Sequence, residues 1–206
     1  MSTLLVIAKA PVAGRVKTRL TPHFTPDQAA ELASAALQDT LAAVLDTPAA
    51  RRVLVLDGRP GDWVPQGIEI VPQDTGGLDA RLAAAFSLFQ GPALVIGMDT
   101  PQVTPDLLAQ GLDFGETDAW FGPADDGGFW ALGLADPDPA LLLGVPMSVA
   151  HTGQEQRRRL TTSGRVVRDL PELCDVDTPA DAARVAAATP GTRFAALHDG
   201  LCAVAR

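Results

Sequence analysis

Short apolar runs alternate with longer stretches of helical periodicity along this chain. Runs of strand length occupy residues 3–8, 52–56, 68–71, 93–98, 120–122, 129–134 and 165–168. The intervening stretches predict helices from Thr25 to about Leu45, over 78–89, 105–112 and 151–163, from Thr178 to about Ala188, and after Gly191. Apolar runs without polar alternation are typical of strands that are covered on both faces. The pattern therefore predicts an α/β fold with a largely parallel sheet.

Two helix starts are marked by capping boxes, in which a threonine is followed three residues later by a side chain that can bond back to it. These pairs are Thr25 with Gln28 and Thr178 with Asp181. Ligands of open α/β sheets bind at the carboxyl ends of the strands. We therefore expect the chemistry in three loops: after Ala8, after Met98 and before the Thr178 helix.

Composition limits the class of protein. The chain has 206 residues, of which 47% are hydrophobic and 20% are charged, as in folded globular proteins. The apolar runs are too short to cross a membrane, and the first residues do not resemble a signal peptide. Two cysteines provide neither a CxxC pair nor a disulfide framework. We expect a cytoplasmic enzyme or binding domain with no membrane partner.

Charge is distributed unevenly along the chain, whose formal net charge is -9. That balance argues against a nucleic acid as the main partner. Residues 1–22 contain Lys9, Arg15, Lys17 and Arg19 and no acid, whereas residues 61–150 contain 13 acidic residues and one base. A basic loop beside an acidic region could hold nucleotide phosphates together with a divalent metal ion. Alternatively, most of these acids are solvated surface.

The loop after the first strand is the first candidate site. Its candidate nucleotide-binding residues are Ala8, Lys9, Ala10, Pro11, Gly14, Lys17, Thr18 and Arg19. Backbone N–H groups and cationic side chains in such a loop can surround phosphates. It is not a Walker A loop, because Val16 stands where that motif needs glycine. The alternative is a solvated basic loop.

Three aspartates are candidate ligands of Mg²⁺ or Mn²⁺. Asp99 follows the apolar run 93–98, where a carboxylate is well placed to bind metal, although it could instead cap the next helix. Asp175 and Asp177 would face the same way if their segment is extended. They could instead act only through the electrostatics of the following helix. Because Thr178 already supplies the cap, we favour a metal role for this pair.

Two glycine-containing segments complete the candidates. Asp125, Asp126, Gly127 and Gly128 could orient an acceptor or bind metal, or could form an ordinary hairpin turn. The segment that contains Gly76, Gly77 and Arg81 could lie near a base or a phosphate, or could be a loop and a helix cap.

The ordered motifs AKAPxxGxxKTRLxP, GxDTP, GPADDGG and DVDTPAD carry a family resemblance over residues 4–188. The chain resembles the bacterial radical-SAM/selenodomain-associated, glycosyltransferase-like (transferase 1) family of the nucleotide-diphospho-sugar transferase (GT-A) superfamily. More distantly it is similar to the phospholactate, phosphoenolpyruvate and molybdenum-cofactor guanylyltransferases, through KTRL at 17–20 and DVDTPAD at 175–181. Their acceptor pocket is not matched, because this chain has GPADDGGFW instead.

The resemblance implies one GT-A-like (Rossmann-like) domain over residues 1–206, with three α/β/α layers around a mostly parallel, mixed sheet. It implies that Lys17 and Arg19 lie nearest the leaving pyrophosphate or diphosphate. It also implies that Asp99 binds metal and that Asp175 and Asp177 form a second carboxylate pair.

Three functions fit these residues. A nucleotidyltransferase would move a nucleoside monophosphate from a nucleoside triphosphate to a small phosphorylated or hydroxylated acceptor, with release of pyrophosphate. A glycosyltransferase would use a nucleotide sugar, with Asp125 or Asp126 as the base. A nucleotide-binding protein without catalysis is the third. The cationic loop favours the first function, for which the catalytic candidates are Lys17, Asp99 and Asp126.

Overall fold

A computed structural model describes residues 2–204 and places seven strands and six helices among them. The strands are β1 (Thr3–Lys9), β2 (Arg51–Asp57), β3 (Glu69–Pro72), β4 (Ala93–Ile96), β5 (Ala119–Pro123), β6 (Phe129–Leu134) and β7 (Val167–Asp169). The helices are α1 (Pro26–Asp46), α2 (Leu78–Ser87), α3 (Pro105–Leu112), α4 (Thr152–Thr162), α5 (Pro179–Ala188) and α6 (Arg193–Val204). None of these helices is long and apolar enough to span a membrane.

All seven strands belong to one sheet, in the order β3-β2-β1-β4-β6-β5-β7. β6 runs antiparallel to both of its neighbours, and the remaining pairs are parallel. The predicted mostly parallel, mixed sheet is therefore confirmed. Because β1, β2, β3 and β4 run in the same direction, the loops that follow them emerge at one edge of the sheet.

Helices cover both faces of the sheet. Along β1, Leu4 and Val6 pack into the apolar cluster that includes α1 and α3. Leu5 faces the opposite way, into the cluster that includes Phe86 of α2 and Leu160 of α4. This alternation follows from the two-residue repeat of a strand, and it produces the expected three layers. A third apolar cluster packs α5 and α6 against the outer side of α1.

Local signals set most element boundaries. Both predicted capping boxes form at the starts of α1 and α5, so Thr178 begins a helix directly after Asp177. The pairing of β4 ends at Ile96, two residues earlier than predicted. There the chain turns, and the sulfur of Met98 accepts a hydrogen bond from the Lys9 N–H at 3.2 Å. This contact joins the loops after β1 and β4.

Candidate active site

A cleft of about 830 Å³ opens at the edge where the parallel strands end. The residues that line it are drawn from segments 7–9, 15–19, 73–82, 95–99, 126–130, 147–152 and 175–177. These segments include the loop after β1, the loop after β4 and the stretch before α5, the three regions expected to carry chemistry. The fold therefore brings the predicted loops together around one space.

The Lys17 ammonium lies at the centre of the polar wall. Its Nζ is 2.8 Å from Asp99 Oδ1 and 3.2 Å from Asp177 Oδ1, and the side chain is only 6% exposed. Arg19 Nη1 lies 3.3 Å from the other oxygen of Asp177. Three distant chain segments therefore meet in one charge cluster.

The backbone around Lys17 explains how its side chain reaches this position. Lys17 has a φ of 50°, in the left-handed region that residues other than glycine rarely adopt. The next three residues, Thr18–Leu20, form a turn of 3₁₀ helix, and Leu20 is buried in the cluster with α1 and α5. The buried Leu20 anchors the turn, and the change of direction at Lys17 sends the ammonium inward.

Lys17 remains charged in this environment. Burial alone would lower its pKa, because a low-dielectric surrounding disfavours the ammonium. The attraction and hydrogen bonding of Asp99 and Asp177 outweigh burial, and the pKa of Lys17 is raised above its ordinary value. The cleft thus contains a permanent cation next to two carboxylates.

The stretch before α5 adds a third carboxylate. Val176 is buried, and its N–H donates a hydrogen bond to the Asp99 carbonyl oxygen at 2.9 Å. The residues on either side, Asp175 and Asp177, both line the cleft. Burial raises the pKa of Asp175 to about 7, and the nearby carboxylates Asp99, Asp126 and Asp177 contribute to this rise against the opposing effect of Lys17. Negative charge is therefore in excess at this point.

The donor chemistry of this cluster fits a divalent cation. Carboxylate oxygens are the ligands that Mg²⁺ and Mn²⁺ prefer, and the excess negative charge favours a cation. Within residues 2–204, however, no three His, Cys, Asp or Glu side chains are arranged as a preformed metal site. Asp99 and Asp177 instead share the ammonium of Lys17. A metal ion that used both carboxylates would have to displace it.

Arg81 lines the cleft in a position fixed by three hydrogen bonds. Its guanidinium donates to Asp57 Oδ2 and to Gln73 Oε1, each at 2.9 Å, and to the Gly76 carbonyl oxygen at 3.0 Å. The hydrogen bond from Arg81 is the main reason that the pKa of Asp57 lies below its usual value. Gln73 also donates to the carbonyl oxygens of Ala8 and Val55, at the ends of β1 and β2. Gln73 therefore holds both the strand ends and Arg81.

The two adjacent aspartates of the β5–β6 turn have different surroundings. Asp125 forms an ion pair with Arg184 of α5 and lies outside the cleft lining. Asp126 lines the cleft, and its Oδ1 accepts a hydrogen bond from the Gly128 N–H at 2.8 Å. Gly127 between them has a φ of 88°, and a Cβ there would overlap the Ala150 carbonyl oxygen. The turn thus packs directly against the segment 147–152.

Most of the residues predicted for the site line the cleft. Those in the lining are Ala8, Lys9, Lys17, Thr18, Arg19, Gly76, Arg81, Asp99, Asp126, Gly128, Asp175 and Asp177. Those outside it are Ala10, Pro11, Gly14, Gly77, Asp125 and Gly127. Sequence reasoning missed Gln73, whose only signal is a polar residue directly after a strand. It also missed the wall formed by Phe129, which directly follows GPADDGG, and by segment 147–152, which contains no recognisable motif.

Comparison with protein families gives one match. The family model described as "Uncharacterized protein conserved in bacteria (DUF2064)" matches residues 28–149, which is more than half of the chain. No curated protein matches the chain.

Solved structures share the whole fold. A Desulfovibrio desulfuricans G20 protein, named as a candidate nucleotide-diphospho-sugar transferase, is 26% identical with a TM-score of 0.86, covering 97% of this chain and 96% of its own. Rv0371c from Mycobacterium tuberculosis H37Rv, in complex with manganese, is 22% identical with a TM-score of 0.53, covering 89% of this chain and 96% of its own. The 2-C-methyl-D-erythritol 4-phosphate cytidylyltransferase of Thermus thermophilus is 18% identical with a TM-score of 0.57, covering 91% of this chain and 98% of its own. The fold is thus that of nucleotide-diphospho-sugar transferases and cytidylyltransferases.

The hydrogen bonds of Gln73 lead to a prediction about stability. Gln73→Met keeps the volume of the side chain but leaves the carbonyl oxygens of Ala8 and Val55 without this donor. We expect the free energy of unfolding to fall by about 1–3 kcal/mol, the usual cost of such lost bonds. The measurement is urea denaturation. Asp74→Asn is the control, because the exposed side chain of Asp74 bonds only the Thr75 N–H within residues 2–204 and its loss should change stability by less than about 0.5 kcal/mol. Equal effects of the two substitutions would contradict the role given to Gln73.

Proposed function

The chain belongs to the DUF2064 family of bacterial proteins, and from that premise we propose that it is a metal-dependent transferase that uses a nucleotide. The reaction that best fits the cleft is nucleotidyl transfer. A nucleoside monophosphate would pass from a nucleoside triphosphate to a small phosphorylated or hydroxylated acceptor, and pyrophosphate would be released.

One observation carries this proposal: cations and carboxylates converge at the same end of the cleft. Lys17 and Arg19 stand beside Asp99 and Asp177, where a polyphosphate and a divalent cation could bind next to each other. The remaining cations of the lining are Lys9, Arg15 and Arg81. Such a concentration of positive charge suits a triphosphate, whose charge is larger than that of a nucleotide sugar.

Asp99 and Asp177, with Asp175 beside them, would hold the metal ion. The manganese complex of Rv0371c, which shares the fold, supports the use of a divalent metal. When bound, the ion would neutralise part of the phosphate charge that develops during transfer. Mg²⁺ and Mn²⁺ both fit the carboxylate donors.

The protein's own residues have separate roles in this reaction. Lys17 would bind the phosphates beside the carboxylates that would hold the metal ion, and the exposed Arg19 would bind them from the solvent side. The acceptor oxygen attacks the α-phosphorus, and the bond to the β-phosphate oxygen breaks. Asp126, held by the Gly128 N–H, would receive the proton from a hydroxyl acceptor.

Glycosyl transfer is the second candidate. It is favoured by the name of the Desulfovibrio desulfuricans protein, which is similar over nearly the whole chain. The same carboxylates would then hold a metal ion on the diphosphate of a nucleotide sugar. The acceptor hydroxyl would attack the sugar carbon, and a nucleoside diphosphate would leave.

The identity of the released product separates these reactions. With Mg²⁺ or Mn²⁺, a nucleoside triphosphate and an acceptor mixture, we expect pyrophosphate to accumulate, as measured by a coupled enzymatic assay. Asp99→Asn should reduce this rate by about 100-fold or more, because it weakens the site for the metal ion that would neutralise the developing phosphate charge. Asp106→Asn, in the first turn of α3 and outside the cleft lining, is the matched control and should keep the wild-type rate. Release of a nucleoside diphosphate from a nucleotide sugar would instead establish glycosyl transfer.

The shared carboxylates predict competition between Lys17 and metal. Lys17→Met removes the ammonium, and Mn²⁺ affinity without nucleotide should rise by about tenfold, a typical coupling between two ligands of one site. Isothermal titration calorimetry measures this change. Lys9→Met is the matched control, because Lys9 lines the cleft but forms no ion pair with Asp99 or Asp177 within the described chain. An unchanged or weaker Mn²⁺ affinity in Lys17→Met would show that metal does not use these carboxylates.

The different surroundings of the two adjacent aspartates predict different kinetic effects. Asp126→Asn should lower kcat by about 10²–10⁴, the usual contribution of a general base, while the nucleotide dissociation constant stays near the wild-type value. Asp125→Asn only weakens the pair with Arg184, so its kcat should remain close to wild type. Steady-state kinetics of both variants tests this difference. A larger loss in Asp125→Asn would mean that the base is assigned to the wrong aspartate.

A further inference from the structure

Positive charge in the cleft is confined to one side. All the lysine and arginine side chains of the lining come from segment 9–19 and from α2. The opposite side is formed by segments 126–130 and 147–152, and among its lining residues Asp126 is the only charged one. His151 is exposed and does not line the cleft. The side of the cleft away from the phosphates is therefore neutral to negative.

The same side is lined by apolar groups. Phe129 and Met147 are half-buried, and both pack against the apolar cluster beneath α2 and α4. Val149 is 40% exposed in the lining. A surface of this kind binds an apolar body by removing it from water.

Hydrogen bonds hold this wall in place. The Gly144 N–H donates to Asp79 Oδ2 at 2.9 Å, which joins the start of α2 to the chain that leads to Met147. Thr152 Oγ1 donates to the Pro146 carbonyl oxygen at 2.8 Å and accepts from the Val149 N–H at 3.2 Å. The Gly153 N–H donates to the Gly127 carbonyl oxygen at 2.8 Å. The wall is thus preformed and directly adjacent to Asp126.

We propose that the acceptor presents its reactive hydroxyl on an uncharged, largely apolar body, which binds between Asp126 and the wall of Phe129, Met147 and Val149. This inference rests on the proposed function and narrows its acceptor from phosphorylated or hydroxylated compounds to neutral alcohols. A phosphate or carboxylate on this side would lose water without gaining a cation, and it would face Asp126. A hydroxyl instead can donate a hydrogen bond to that carboxylate.

The transfer balances with such an acceptor. The hydroxyl oxygen forms a bond to the α-phosphorus, the bond to the β-phosphate oxygen breaks, and pyrophosphate leaves with the electron pair. The hydroxyl proton passes to Asp126 and then to solvent. The first product is the uncharged acceptor group joined to the nucleoside through a phosphodiester. The other products are pyrophosphate and one proton.

A matched pair of compounds tests the acceptor class. Cyclohexylmethanol and cyclohexylmethyl phosphate differ only in the phosphate group. Calorimetry measures the dissociation constant of each with Mn²⁺, both with and without a non-hydrolysable α,β-methylene nucleoside triphosphate. With the analogue bound, we expect the alcohol to bind at least about tenfold more tightly than the phosphate ester. The reason is that this side of the cleft offers no cation to the phosphate group of the ester.

A charge placed on the wall tests the same inference independently. Val149→Arg changes a rim residue outside the proposed catalytic groups. It should shift the ratio of the two dissociation constants by about tenfold in favour of the phosphate ester. Leu88→Arg is the control, because Leu88 is 46% exposed at the other end of α2 and should leave the ratio unchanged.

Three results would overturn the inference. In the first, the phosphate ester binds as tightly as the alcohol in the ternary complex. In the second, Val149→Arg leaves the ratio of the two dissociation constants unchanged. In the third, neither compound binds at millimolar concentration. Failure of the proposed function is a separate result, in which the nucleotide analogue itself does not bind. The ratio without nucleotide then still reports whether the wall prefers the neutral compound.

Discussion

The ammonium of Lys17, held between Asp99 and Asp177, is the interaction on which the rest of the site depends. A buried lysine is stable only with charged partners, and an excess of carboxylates favours a cation among them. Each group therefore fixes the position of the others, although they come from the loop after β1, the loop after β4 and the stretch before α5. The hydrogen bond from the Val176 N–H to the Asp99 carbonyl oxygen also joins the two carboxylate-bearing segments.

The sheet explains why these groups meet at one edge. β1 and β4 are adjacent and parallel, so their following loops emerge side by side, and the contact between Lys9 and Met98 joins them. β5 runs parallel to β4, because β6 is antiparallel to both, so the turn with Asp126 that follows β5 emerges at the same edge. The cation and carboxylate cluster of Lys17, Asp99 and Asp177 thereby shares one cleft with the apolar side chains of Phe129, Met147 and Val149. In the proposed function, the nucleotide and its metal ion would bind at the charged cluster and the neutral acceptor would bind at the apolar side chains.

Much of this arrangement could be predicted from the sequence, because it follows from local rules. Apolar runs such as 93–98 identified the strands, Thr25 and Thr178 marked helix starts, and polar residues directly after strands identified Asp99 and the loop with Lys17. What could not be predicted depends on tertiary packing. Lys17 and Asp177 are 160 residues apart, and no local sequence pattern predicts their contact. The choice between Asp125 and Asp126 depends on Arg184 of a distant helix, and the wall of Met147 and Val149 carries no motif because apolar side chains acquire a role only through their neighbours.

The most direct test of the account is a calorimetric titration of the protein with the common nucleoside triphosphates and nucleotide sugars, each in Mn²⁺ and in EDTA. We expect a triphosphate to bind in Mn²⁺ and its affinity to fall by about tenfold or more in EDTA, because metal and phosphates would share one site. Equal affinity in both buffers, or the absence of binding by every nucleotide in Mn²⁺, would contradict it.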